Sequence, residues 1–296
     1  MQNTLIISII YMNNILVTGC KGQLGSEIKE LANNYENFNF LFTDINQLDI
    51  TNNDKVAQII ENNNINCIIN CAAYTSVDKA EKFTELADQI NNKAVENFAK
   101  IAKKNKIKFI HISTDYVFDG DKVMPYSEID FPNPQSVYGK TKLDGERALI
   151  RINPLNSIII RTSWVYSKFG NNFIKTMMNL SRTKSEISVV SDQIGSPTNA
   201  YDLAKVILDI LENLENNKVQ IYHFSNSGKC SWYDFAKALF EIKNIQIKIR
   251  PIKTSDYQTA AKRPKYSVLD NELIKKTFNI EILNWRDSLE LMAMKI

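Results

Sequence analysis

The chain has 296 residues, 44% of them apolar and 23% charged, with a formal net charge of +3. That length accommodates one large α/β domain or two smaller ones, and the composition is that of an ordinary globular protein with a substantial core. So small and dispersed a positive charge argues against nucleic acid as a partner. The four cysteines, Cys20, Cys67, Cys71 and Cys230, match no zinc spacing and read as reduced core residues of a cytoplasmic protein. His111 and His223 each lie inside an apolar run, which predicts core roles. Residues 1–11, MQNTLIISIIY, lack a basic start and are too short to span a bilayer, so they read as an N-terminal extension ahead of a better start at Met12. No other stretch predicts a membrane partner.

The apolar strand at residues 15–18 runs into Gly19-Cys20-Lys21-Gly22-Gln23-Leu24-Gly25 and then a helical pattern over residues 26–34. Strand, G-x-x-G-x-x-G, helix brings a pyrophosphate onto backbone N–H groups at a helix N-terminus. The second strand, residues 38–42, ends at Asp44, placed to hold a ribose 2'-hydroxyl; Lys21 would tolerate a 2'-phosphate, so NADH and NADPH both stay open. Asp49 and Ile50 are placed to meet an adenine, and Thr51 is the expected N-cap of a helix running to residue 60. A buried strand at residues 67–73 ends in Ala72-Ala73, small enough for a ligand to pass, followed by the polar loop Tyr74-Thr75 and onward. A helix over about 86–104 and a strand over 109–115 continue the alternation, which predicts a parallel sheet with right-handed crossovers.

That strand ends in the hydroxyl of Thr114, and after a loop containing Pro125, Pro132 and Pro134 a helix opens with Tyr138 and Lys142 on one face. An ammonium beside a phenol favours the phenolate and makes tyrosine an acid usable near neutral pH. Beyond residue 164 the alternation loosens. Helices are predicted at 173–180, 201–214 and 232–242, strands at 187–190, 222–224 and 245–252, and two helices at the end.

VTGCKGQLG, NCAAYTSVDKAE, HISTDYVFDG, SVYGKTKLDGE, IIIRTSWVYSKFGNNF and VVSDQIGSPTNAYDLA, in this order, resemble the blocks of the dTDP-4-dehydrorhamnose reductases, a family of the extended short-chain dehydrogenase/reductase superfamily. The resemblance covers the chain from Met12 onward. It implies a Rossmann-type doubly wound parallel sheet formed by residues 12–168 and about 196–226. A smaller C-terminal α/β substrate domain would comprise about 169–195 and 227–296. It implies Thr114, Tyr138 and Lys142 as the catalytic trio. The cofactor contacts would be Gly19, Gly22, Gln23, Leu24, Gly25, Asp44, Asp49, Ile50, Ala72, Ala73, Tyr74 and Thr75, with Tyr138 and Lys142. A nucleotide sugar would meet Thr114, Asp115, Trp164 and Arg263.

The expected reaction is NAD(P)H-dependent reduction of a 4-keto sugar nucleotide by a cytoplasmic monomer or homodimer. Some family members hold Mg²⁺ between subunits. Glu27 matches one ligand, but Tyr201 replaces a second, so no metal is expected. Two rivals stay open. A dehydratase or epimerase shares the cofactor domain, but Tyr116 stands where a dehydratase needs a second carboxylate. A non-catalytic regulatory subunit like the methionine adenosyltransferase β subunit shares the fold.

Overall fold

A computed structural model describes residues 13–295; the expected extension, residues 1–11, lies outside them. Strands β1 (Asn13–Thr18), β2 (Phe38–Thr43), β3 (Ile65–Asn70), β4 (Lys108–Thr114) and β5 (Ser157–Thr162), with the strand Gln220–His223, form one six-stranded sheet. Its order is Gln220–His223, β5, β4, β3, β1, β2, and every pairing is parallel. A parallel sheet is covered on both faces, so its strands are apolar throughout rather than alternating. Ile15, Leu16, Val17, Ile68, Ile69, Ile158, Ile159 and Ile160 are accordingly all buried.

Helices Gln23–Leu31 and Ala200–Ile210 cover one face through Leu24, Ile28, Leu203 and Ile207. Asn53–Asn62, Ala94–Asn105 and Val137–Ile152 cover the other through Val56, Ile60, Val95, Phe98 and Leu149. The chain leaves β1 toward β2 on one side and returns to β3 on the other. A crevice therefore opens at the carboxyl ends of β1 and β3, the switch point of a doubly wound sheet.

Local chemistry revises three expectations. The helix predicted over 86–104 is broken into Thr84–Asp88, a π-helical turn Gln89–Lys93 and Ala94–Asn105. Asn52, not Thr51, caps Asn53–Asn62, accepting from the Lys55 N–H at 3.0 Å. The Thr51 hydroxyl and N–H instead turn back onto Asp49 Oδ1, at 2.8 and 2.9 Å. Cys71 is only half-buried: it stands just past β3, packed against the core yet lining the crevice, whereas Cys20, Cys67 and Cys230 are buried, and all four are free thiols.

A second core gathers Ile187, Val189, Phe235, Leu239 and Leu289. It is built from the parallel pair Glu186–Val190 and Lys248–Ile252 with helices Phe173–Ser181, Trp232–Ile242 and Trp285–Ala293. Ser231 starts Trp232–Ile242 with a capping box: its hydroxyl accepts from Asp234 N–H while the Asp234 carboxylate accepts from the Ser231 N–H. The segment between the cores carries two short strands. Ile194–Gly195 pairs with Cys230–Ser231, and Thr198–Asn199 with Val165–Tyr166, joining the second core to the sheet edge above the crevice.

Candidate active site

The crevice is a cleft of about 670 Å³. At one end lies the glycine turn. Gly19 has φ +65°, and a Cβ there would stand 2.8 Å from the Ala72 backbone, so only glycine lets β1 and the end of β3 approach. Gly22 caps Gln23–Leu31 without a side chain, leaving the first-turn N–H groups to whatever enters the cleft. Gly25 does not line the cleft; a Cβ there would overlap the Gly19 carbonyl, so it sets helix against turn. Asp44 lines the far end, its carboxylate accepting from the N–H of Lys21 at 3.0 Å and of Ile45 at 2.8 Å. Gln23, Leu24, Asp49, Ile50, Ala72, Ala73 and Thr75 line the same wall. Tyr74 does not. Its backbone N–H and carbonyl are clamped by the side chain of Asn91, at 2.9 and 3.1 Å, from the π-helical turn.

Thr114, Asp115, Tyr138, Lys142 and Trp164 line the opposite wall. Ser136 caps the Val137–Ile152 helix, accepting from Gly139 N–H at 3.1 Å, which aims its first turn into the cleft. Burial pushes the Tyr138 phenol above its ordinary range, opposed by a hydrogen bond with Thr114 and reinforced by the charge of Asp115. The Lys142 Nζ is held by the Ile112 carbonyl at 2.6 Å and sits 3.2 Å from His111 Nε2. Burial lowers Lys142 itself to about 8, against the opposing charge of Glu146. The Thr114 hydroxyl donates to Asp115 Oδ1 at 3.0 Å.

Trp164 adopts φ +48°, unusual for a bulky residue. Its ring lies flat on Trp232, centroids 3.5 Å apart and 6° from parallel, with Gly195 against its edge, where a Cβ would meet the indole. Arg263 stands outside the cleft lining, paired with Asp78 at 2.5 Å and placed over the Tyr116 ring. Sequence reasoning gave His111 a core role only and gave Asn70, Asn91 and Trp232 no site role; for Asn70 and His111 the available signal was a polar side chain inside an otherwise apolar run.

Glu27 lines a separate cavity of about 520 Å³ with Tyr201, Asp202, Lys168, Lys205 and Lys295. Its Oε1 accepts from Ser167 at 2.6 Å, and burial raises its carboxyl above the usual range, toward the protonated form. The Lys295 ammonium lies 4.3 Å over the Tyr201 ring. Among the described residues no group of three His, Cys, Asp or Glu converges. Glu281 lines the cavity too, so its three carboxylates, Glu27, Asp202 and Glu281, stand among three lysines.

The family described as RmlD substrate binding domain matches residues 12–296. A dTDP-4-dehydrorhamnose reductase from Aggregatibacter actinomycetemcomitans is 42% identical over 289 residues, covering 94% of this chain and 98% of that protein. Among solved structures, a dTDP-4-dehydrorhamnose reductase from Bacillus anthracis in complex with NADP superposes with a TM-score of 0.91 at 38% identity, covering 96% of this chain and 99% of that one. A dTDP-4-dehydrorhamnose reductase ortholog from Clostridium acetobutylicum gives a TM-score of 0.90 at 43% identity, covering 95% and 99%. The chain belongs to the RmlD substrate binding domain family, beside the dTDP-4-dehydrorhamnose reductases that it matches nearly end to end.

Proposed function

We propose that the protein is an NAD(P)H-dependent reductase that converts the C4 keto group of dTDP-6-deoxy-L-lyxo-4-hexulose to the alcohol of dTDP-L-rhamnose, for cell-surface polysaccharide. One observation carries the reading: Thr114, Tyr138 and Lys142 share a cleft with an uncapped glycine-turn helix, in a chain that aligns with these reductases over nearly its whole length. The residues fit a dinucleotide. The free N–H groups after Gly22 would hold its diphosphate, Asp44 its ribose, and Asp49 and Ile50 its adenine. When bound, the nicotinamide supplies hydride.

The protein's own part is to place the keto oxygen and protonate it. Tyr138, a neutral phenol because burial holds it above its usual range, gives its proton to the oxygen at C4. Thr114 turns its O–H from Asp115 to the same oxygen and polarises it. Trp164 supplies the flat apolar wall on the sugar-nucleotide side, Asp115 a polar contact, and Arg263 a cation for the diphosphate once it leaves Asp78. Residues around the first core form the cofactor domain and those around the second the substrate domain. The reaction uses no metal, and the enzyme works in the cytoplasm as a monomer or homodimer. Among the described residues no helix is long and apolar enough to cross a membrane.

The test is loss of reduced-nicotinamide absorbance with the 4-keto sugar nucleotide, NADH and NADPH in parallel. Tyr138→Phe should lower kcat by roughly 10²- to 10⁴-fold with little change in KM. Dinucleotide binding without reduction of any 4-keto sugar nucleotide would instead favour the regulatory-subunit reading.

A further inference from the structure

Behind Lys142 a chain of buried polar groups runs through the sheet. Asn70 Oδ1 accepts from Thr18 Oγ1 at 2.6 Å and from the Ala72 N–H at 3.2 Å. The backbone N–H can only donate, so the oxygen must face it and the amide NH₂ must face His111 Nδ1, 3.3 Å away. Nδ1 therefore accepts. His111 is fully buried, and desolvation holds its imidazolium far below the usual range, so the ring is neutral with its proton on Nε2. That N–H points at Lys142 Nζ, 3.2 Å away. An ammonium has three donors and no acceptor; an amine has a lone pair. Only the amine completes the set, accepting from His111 while donating to the Ile112 carbonyl at 2.6 Å.

We propose that His111, its tautomer fixed by Asn70, is a positioning residue that donates to Lys142 whenever the lysine is a neutral amine, so that proton uptake by Lys142 either breaks the Lys142–His111 hydrogen bond or shifts the His111 proton to Nδ1. The inference rests on the reading of Lys142 as catalytic for its importance, but not for its test. The other ionisable groups facing Lys142 are Glu146 and Tyr138 on its own helix and Cys71 after β3. Glu146 is engaged by Arg161 at 2.7 Å and by Ser113, and its charge still favours the ammonium against the burial of Lys142. Charging Lys142 forces the imidazole to move its proton to Nδ1, against the Asn70 amide, or forces the lysine off His111 toward the cleft and Tyr138. Either way the pair becomes competent to pass a proton only when this chain rearranges.

The experiment is nitrogen NMR on the dinucleotide-free protein, which stands whether or not a 4-keto sugar is reduced. In wild type the His111 ring should be the Nε2–H tautomer above the Lys142 titration and should change at the pH where the Lys142 Nζ signal titrates. An Nδ1–H tautomer, or a ring that ignores Lys142, overturns the proposal without any variant. Asn70→Leu frees Nδ1, and His111→Leu removes the donor. Each should raise the Lys142 titration by about one pH unit, the worth of one hydrogen bond to the neutral form. A merely space-filling histidine predicts no rise, because Lys142 stays as buried, and an unchanged or lowered titration in folded variants sinks the idea. In the active enzyme the same variants should shift the pH profile of kcat while leaving dinucleotide affinity within about twofold.

Discussion

Asp115, just past β4, accepts from Thr114 at 3.0 Å through one carboxylate oxygen, and burial raises its acid to about 6 against hydrogen bonds from Ser267 and Thr114. A carboxyl raised in the folded state stabilises the fold below its unfolded value, and the contribution is lost as pH climbs through the folded one. The window here runs from the ordinary 3.8 to about 6. The rise corresponds to a penalty on the order of 3 kcal/mol for the ionised form. Asp115→Asn should therefore unfold at a higher temperature than wild type at pH 8 and at nearly the same temperature at pH 4, as thermal unfolding at the two pH values will report. A cleft that keeps such a charge is holding stability in reserve for ligand.

At the scale of elements, the Val137–Ile152 helix is tied down by more than its apolar face. Arg161 on β5 pairs with Glu146 at 2.7 Å, both almost wholly buried, and Ser113 on β4 donates to the same carboxylate. Arg161→Met leaves a buried, uncompensated charge and should cost about 3–5 kcal/mol in denaturant unfolding, much of it returned by adding Glu146→Leu. Higher in the helix, a Cβ on Gly145 would overlap the Asn91 carbonyl in the π-helical turn, and the Asn91 amide donates to Thr141 at 3.2 Å as well as clamping Tyr74. Gly145→Ala should cost roughly 1–3 kcal/mol and weaken dinucleotide binding, because the displaced turn carries the Tyr74 loop with it.

These elements also mark the limit of sequence reading. The glycine turn, the strand ends and Tyr138 with Lys142 were legible because each is encoded within a few adjacent residues. The π-helical turn was not, because nothing in QINNK distinguishes it from ordinary helix. Nor was the partner of Lys142: His111 lies 31 residues away from it and 41 from Asn70, and these contacts exist only once β3 and β4 pair beneath the helix. In isolation a histidine inside HISTDY reads as core, which it is, without showing what it faces.

Across the whole molecule, two cores meet at the cleft, and the six-stranded order with its reversal beside β1 follows from strands that are apolar on both faces. The second core was harder to foresee, since it is assembled from short strands and helices separated by up to a hundred residues. Its aromatic residues reach toward the cleft through Trp232, stacked on the cleft-lining Trp164, with Phe173 4.6 Å from Trp232. Trp232→Ala should raise KM for the sugar nucleotide about tenfold by loosening Trp164, while the dissociation constant for dinucleotide stays unchanged in a fluorescence titration. Pocket walls contributed from opposite cores make substrate affinity sensitive to their registration, and cofactor affinity insensitive to it.

Two indoles lying parallel at 3.5 Å share their electronic excitations, so the Trp164–Trp232 pair is a chromophore in its own right. Exciton coupling should give the protein a split circular-dichroism couplet in the tryptophan absorption region, abolished in Trp232→Ala. A base or sugar that slides against Trp164 and tilts its ring would change the couplet's amplitude, reporting occupancy of the cleft with no label attached.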